Sequence, residues 1–307
     1  MSHVSSGGEK ERSGRRILLV RHGERVDFTM NGLPALSQEG VDWVEKSFAT
    51  GKYERFSTNM PRSLPKRKDG YRNYTQDSPL TEIGYLQAKL VGRAIKDSGV
   101  SIDAVYVSPA YRCIQTCVGL LKGSQENDLS INIEPGLFEW CGWFKPQVPK
   151  WMSPEEFYDQ NLRINTGYTP VYRPTELDVN ESIADYYQRS FKVVQSIMKK
   201  HSKSGETILF VAHGASLDTC SRQLIGLEPR SVQEFYAVLH RTPYLSVAAL
   251  QEDVSSHSGP SAGSGHQSQN NARRWFITDP PVLPLIHHGN DGYDWKVLKS
   301  HGQRKKD

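Results

Sequence analysis

Short apolar runs alternate with longer amphipathic stretches along most of the chain. Residues 16–21, 103–107, 131–133 and 207–212 are rich in Val, Ile and Leu, and each is flanked by polar or turn-forming residues. Runs of this length predict strands covered on both faces. The intervening segments have helical spacing. Thr81 predicts the N-cap of a helix ending near Asp97, with Ile83, Leu86, Leu90, Ala94 and Ile95 as its inward stripe. Ser108-Pro109 starts a second helix over about 110–122, since proline suits a helix's first turn. Residues 182–202 predict a third, with Ile183, Tyr187, Phe191, Val194 and Met198 on one face, and a fourth spans about 215–225. Residues 244–250 and 274–278 read as two strands of a hairpin, joined by the polar stretch 253–272. Alternating strands and helices predict an α/β fold, a three-layer sandwich around a mostly parallel sheet.

The periodicity fades over residues 28–79, except around Val41 to Phe48. A connection of that length inside one domain is usually functional. Residues 1–15 are polar and are expected to be a disordered tail. Residues 16–300 form a single domain containing the flexible loop 253–272, and residues 301–307 are a basic tail.

Composition narrows the function classes. The 307 residues carry a net charge of +4, with 37% hydrophobic and 23% charged residues, as in globular proteins. The basic clusters Lys66-Arg67-Lys68 and Arg304-Lys305-Lys306 read as solvated surface, so no nucleic-acid partner is expected. No apolar stretch is long enough to span a membrane, and no signal core opens the chain. The four cysteines, Cys113, Cys117, Cys141 and Cys220, read as free thiols of a cytoplasmic protein.

Two of the predicted strands end alike. The first runs into Arg21-His22-Gly23 and the fourth into His213-Gly214. Parallel strands deliver their last residues to one edge of the sheet, so the two imidazoles are expected to face one cleft. Arg21, Arg25 and Arg112 are the candidate phosphate clamps, because a guanidinium stays charged and grips two oxygens at once. Arg112 lies in the first turn of a helix, whose free N–H groups also favour anions. Nearby cations keep an imidazole neutral, and a neutral ring nitrogen can attack phosphorus. Departure of an ester oxygen requires a proton, for which Glu139, among Phe138, Trp140 and Trp143, is the candidate donor. A cysteine-based tyrosine phosphatase is excluded, because the residues six positions after the four cysteines are Gly119, Gly123, Gln147 and Gly226 rather than arginine. No residue cluster has metal-ligand spacing, and neither a metal nor another cofactor is expected.

Arg21-His22-Gly23, Ser108-Pro-x-x-Arg112-x-x-Gln115-Thr116 and the late Ala212-His213-Gly214 resemble the histidine phosphatase superfamily, with its phosphoglycerate mutase-like fold. The resemblance covers about residues 16–300. It implies His22 as nucleophile, Glu139 as proton donor, and Arg21, Arg25, Arg112 and His213 as the phosphate pocket. Gly214, where the acid phosphatase and phytase branch carries aspartate, argues against that branch. Asn59-Met60-Pro61-Arg62-Ser63-Leu64-Pro65, Gly136-Leu137-Phe138-Glu139-Trp140 and Thr278-Asp279-Pro280-Pro281-Val282-Leu283-Pro284-Leu285 are similar to the phosphatase domain of the T-cell ubiquitin ligand proteins, suppressors of T-cell receptor signalling, and to ecdysteroid-phosphate phosphatase. Glu24-Arg25 fits that subfamily, where glycolytic mutases tend to carry Glu-Ser.

The expected substrate is therefore a phosphate monoester, either phosphotyrosine or an aromatic or steroid-like phosphate. Trp140, Trp143, Phe144, Tyr53 and Phe56 are candidates for an apolar pocket around it. The resemblance also implies a homodimer. Only fifteen residues precede the first strand, so ubiquitin-associated and SH3 domains and their binding functions are not expected. The loop 253–272 is longer than the resemblance leads one to expect. Two other readings remain open: a sugar-phosphate mutase or bisphosphatase of the same fold, and a catalytically silent phosphate-binding scaffold.

Overall fold

Strand β1 (Arg16–Arg21) lies inside the sheet, and its side chains alternate between two hydrophobic layers. Leu18 and Val20 join one cluster and Ile17 and Leu19 the other, as the two-residue period of a strand requires. The computed structural model of the chain describes residues 14–31, 42–254, 274–283 and 295–300. The expectations for residues 1–13, for the loop from 255 to 272 and for the tail 301–307 lie outside the described residues.

The other strands are β2 (Ala104–Val107), β3 (Ile131–Ile133), β4 (Thr207–Ala212), β5 (Val247–Asp253) and β6 (Arg274–Thr278). Among the described residues they form one sheet of order β3-β2-β4-β1-β5-β6. The first four strands of this order are mutually parallel, and β5 and β6 add an antiparallel hairpin at one edge. The fold is thus an α/β sandwich with a mostly parallel sheet. The register pairs Arg21 of β1 with Ala212 of β4. His22 and His213, each one residue further on, therefore leave the sheet side by side, and the His22 N–H donates to the Ala212 carbonyl at 2.9 Å.

The helices are α1 (Val26–Met30), α2 (Trp43–Ser47), α3 (Glu82–Asp97), α4 (Tyr111–Ser124), α5 (Pro154–Tyr158), α6 (Ile183–Lys200), α7 (Ser216–Thr219) and α8 (Val232–His240). α3 and α4 cover one face of the sheet and α6 the other. In α6, Ile183, Tyr187, Val194 and Met198 are buried as expected, while Phe191 is half-buried. A capping box between Ser182 and Asp185 fixes its start.

The inward stripe predicted for α3 is corrected. Ile83, Leu86 and Leu90 are about half exposed and Ala94 is exposed, leaving only Ile95 of the five inside. The buried face carries Gly84, Ala88, Val91, Gly92 and Ile95. The reason is backbone proximity. A Cβ at Gly92 would stand 2.0 Å from the Leu120 carbonyl oxygen, and one at Gly123 of α4 would stand 2.0 Å from that of Lys89. The two helices meet through their small residues, which turns the larger side chains outward.

Further differences are local. Arg15, at the end of the supposed tail, is buried and paired with Glu252 at 2.6 Å. Arg67, expected on the surface, is buried and bonded to Asp77 at 2.8 Å. The long segment 28–79 contributes the buried Trp43, Met60 and Tyr74 to the core. The helix expected over 215–225 is regular only at α7, and α5 and α8 have no counterpart in the sequence reading. β5 begins at Val247 rather than 244, because the chain turns at Leu245, whose φ is 59°. No helix among the described residues is long and apolar enough to cross a membrane.

Candidate active site

The six candidate residues converge at the carboxyl ends of β1 and β4, with Arg112 arriving from the first turn of α4 and Glu139 from the loop after β3. His22 is buried, and its Nδ1 lies 2.8 Å from the Gly23 carbonyl oxygen. A carbonyl only accepts, so Nδ1 carries the proton and Nε2 keeps its lone pair. The His22 and His213 rings meet edge to face, with centroids 5.5 Å apart. His213 is also buried; its Nε2 is 2.7 Å from Ser108 Oγ, and its Nδ1 is 3.4 Å from Arg112 Nη2 and 3.6 Å from Glu139 Oε2. Burial and the Arg112 charge hold both imidazoles well below the ordinary value of 6.5, with Arg21 and Arg25 adding to the effect. Both rings are therefore neutral near pH 7.

The three arginines differ in what they leave free. Arg112 is fully buried and donates through Nη2 to Glu139 Oε1, but its Nε and Nη1 have no partner among the described residues. Arg21 donates to the Thr242 carbonyl and stacks on Tyr244 at 4.4 Å, and its Nε is likewise unpartnered. Arg25 is held by Asp27 at 2.5 and 2.7 Å. Buried donors are ordinarily satisfied, and unpartnered ones on neighbouring cations suit a tetrahedral oxyanion.

Three expectations about this site are corrected. The apolar setting foreseen for Glu139 is replaced by a polar one, because the carboxyl turns to Arg112 and His213. The free helix-start amide foreseen beside Arg112 is partly used, since the Tyr111 N–H donates to the buried Asp77 at 2.7 Å. The five aromatics expected to line one pocket are dispersed. Trp140 and Trp143 pack on Phe235, Phe144 packs on Phe138, and Tyr53 packs on Phe48, while Phe56 stacks under Lys46. A cavity of about 740 Å³ lies between Pro109, Pro135, Trp151, Tyr168 and Leu177, away from all six candidates.

Other residues complete the site. Tyr244 stands 5.6 Å from the His22 ring, and the Phe28 ring, largely exposed, lies 4.3 Å from the Arg25 guanidinium. The Gly23 N–H donates to Thr116 Oγ1 at 3.0 Å, tying the turn after His22 to α4. Ser108 and Thr116 belong to the motif already read from the sequence and were within reach there. Tyr244 and Asp27 carried no comparable signal, because only the turns after β1 and before β5 bring them in.

Comparison with known proteins agrees with this geometry. The family model described as "Histidine phosphatase superfamily (branch 1)" matches residues 66–253. That span holds Arg112, Glu139 and His213, while Arg21, His22 and Arg25 precede it. The chain is 39% identical over 285 residues to the human ubiquitin-associated and SH3 domain-containing protein B, covering 92% of this chain and 40% of that protein. It is 35% identical over 302 residues to the Drosophila melanogaster ecdysteroid-phosphate phosphatase, covering 97% of this chain and 36% of that protein. The chain thus spans about 40% of the length of the curated relatives it matches. A crystal structure of the Bombyx mori ecdysone phosphate phosphatase in complex with tungstate superposes with a TM-score of 0.70 at 28% identity, covering 92% of this chain and 99% of that one. A model match over more than half its length, on a fold that sets two strand-end histidines side by side, makes this chain a member of the histidine phosphatase superfamily, branch 1.

Proposed function

We propose that this chain hydrolyses phosphate monoesters through a phosphohistidine at His22, acting on phosphotyrosine or on aromatic or steroid-like phosphates. The observation that carries the reading is the His22 ring. Its Nδ1 is pinned to a carbonyl, and the ring feels the charges of Arg112, Arg21 and Arg25, of which Arg112 and Arg21 keep unpartnered donors. Nε2 attacks phosphorus, the P–O ester bond breaks, and the departing oxygen takes a proton from Glu139. Water then attacks phosphorus, giving its proton to Glu139, and the P–N bond breaks, which releases phosphate and returns the electron pair to Nε2. Arg21, Arg25, Arg112 and His213 hold the non-bridging oxygens throughout.

Tyr244 beside His22 and Phe28 at Arg25 supply flat apolar surface and support an aromatic or polycyclic leaving group. The names of the similar proteins, an ecdysteroid-phosphate phosphatase and an ecdysone phosphate phosphatase, support the steroid-like choice. A cytoplasmic location is part of the proposal and is supported by four buried free cysteines. So is the homodimer; the exposed apolar residues Ile83, Leu86 and Leu90 of α3 are compatible with a covering second copy, and the mass in solution checks it.

Purified protein is assayed on phosphotyrosine peptides, steroid phosphates and sugar phosphates without added metal. Turnover of the first two groups is expected, with His22→Ala reducing it by about a thousandfold or more. Full hydrolysis by His22→Ala overturns the mechanism, and equal turnover of sugar phosphates favours a mutase or bisphosphatase instead.

A further inference from the structure

Glu139 sits in an irregular loop, yet a proton donor must be held to within a fraction of an ångström of its target. The structure shows what holds it. Arg189 of α6 is buried, and every guanidinium N–H group has an acceptor. Nη1 donates to the carbonyls of Gly136 at 2.7 Å and Phe138 at 2.8 Å. Nη2 donates to the carbonyl of Glu139 itself at 3.1 Å and to Glu181 Oε1 at 2.6 Å, and Nε donates to Glu181 Oε2 at 2.9 Å. Glu181 continues the clamp: its Oε1 accepts the Cys141 N–H at 2.8 Å, and its carbonyl accepts Trp140 Nε1 at 2.9 Å. The loop lies so close to α6 that a Cβ at Gly136 would come within 2.5 Å of Val193 Cγ2.

We propose that Arg189, locked by Glu181, is the positioning residue for the proton donor: it fixes the backbone of residues 136–139 so that the Glu139 carboxyl faces Arg112 and His213. The proposal rests on the reading of Glu139 as the acid. Burying a guanidinium is costly unless all its donors are used. Here three of those donors go to the carbonyls of Gly136, Phe138 and Glu139, in and just after the single 3-10 turn Pro135–Leu137. Arg189 has no hydrogen bond to His22, His213, Arg21 or Arg112 among the described residues; its charge adds a small downward push on the His213 imidazole, and its direct bonds reach the site through the Glu139 backbone. It also stacks on Tyr186 at 4.7 Å, whose hydroxyl is 3.0 Å from Ser216 Oγ, the acceptor of the His213 N–H. The same anchor therefore borders both halves of the site.

The test compares leaving groups. Wild type, Glu139→Gln, Arg189→Gln, Arg189→Lys, Glu181→Gln and the Arg189→Gln/Glu139→Gln double variant are assayed on 4-nitrophenyl phosphate and on phenyl phosphate. The nitrophenolate leaves without much help, and the phenolate needs the proton. Arg189→Gln is expected to lose about tenfold more kcat/KM on phenyl phosphate than on the nitrophenyl ester. Glu139→Gln shows the same selectivity, and the double variant shows no more than Glu139→Gln alone. Arg189→Lys restores part of the loss. If Glu139→Gln is selective but Arg189→Gln slows both esters equally, Arg189 is merely structural and the proposal is overturned. If Glu139→Gln is itself unselective, the assignment of the acid falls, and the proposal falls with it. Should Arg189→Gln not fold, Glu181→Gln decides in its place. It leaves the three carbonyl bonds but frees the guanidinium, so a smaller selective loss is expected, and an equal loss on both esters overturns the proposal.

Discussion

At the scale of residues, the site gathers three guanidinium groups around two buried imidazoles. His22 and His213 stay neutral because burial and Arg112 act in the same direction. This has a consequence for stability. In the unfolded chain both imidazoles bind a proton near pH 6.5, whereas in the folded protein they do so only at lower pH. Between those values the unfolded state binds more protons, so stability rises with pH there. The contribution is fully present above about 6.5 and is lost as pH falls through the folded values. The melting temperature of the ligand-free protein should therefore drop on acidification below 6.5. The drop should be shallower in a His22→Ala/His213→Ala double variant, and identical slopes would exclude these imidazoles as its source.

At the scale of elements, the contact between α3 and α4 shows how close packing overrides hydrophobic periodicity. Size-based counting of apolar side chains selects Ile83, Leu86 and Leu90 as the inner stripe. The helices instead approach through Ala88, Gly92, Gly119 and Gly123, where added atoms would meet backbone or a facing Cβ. This contact matters to the site because α4 carries Arg112 and, through Thr116, holds the Gly23 amide. Gly92→Ala should cost about 1–3 kcal/mol by overpacking. Ala94→Gln, on the exposed face, should change stability by less than about 0.5 kcal/mol. Urea denaturation of the two variants checks the rotation of α3 directly, and the reverse ranking would contradict it.

At the scale of the whole molecule, the fold gathers arginine and imidazole side chains from residues 21–25, 112 and 213. The unpartnered donors of Arg21 and Arg112 predict that inorganic phosphate binds the folded state and stabilises it. At a hundred times its dissociation constant the gain is about 2.7 kcal/mol. A rise of several degrees in melting temperature is expected. In Arg112→Ala the rise should vanish, whatever the variant's own baseline.

Much of this was legible in the sequence. β1, β2, β3 and β4 read out because strands buried on both faces must be apolar throughout. The six candidate residues read out because each follows a strand or a turn with its own local signature. Arg21-His22-Gly23 and His213-Gly214 identify strand ends, whatever the order of the strands between them. Local pattern does not specify neighbours in space. The sheet order places β4 beside β1 and so sets His22 against His213. The turn at Leu245 brings Tyr244 beside the His22 ring, and the helix α6, covering the opposite face from α4, sends Arg189 down to the loop that carries Glu139. A residue's own sequence encodes its chemistry and its element, since these depend on neighbours along the chain. Its partners depend on which surfaces pack together, and that is decided only when the whole sheet and its two helical layers close.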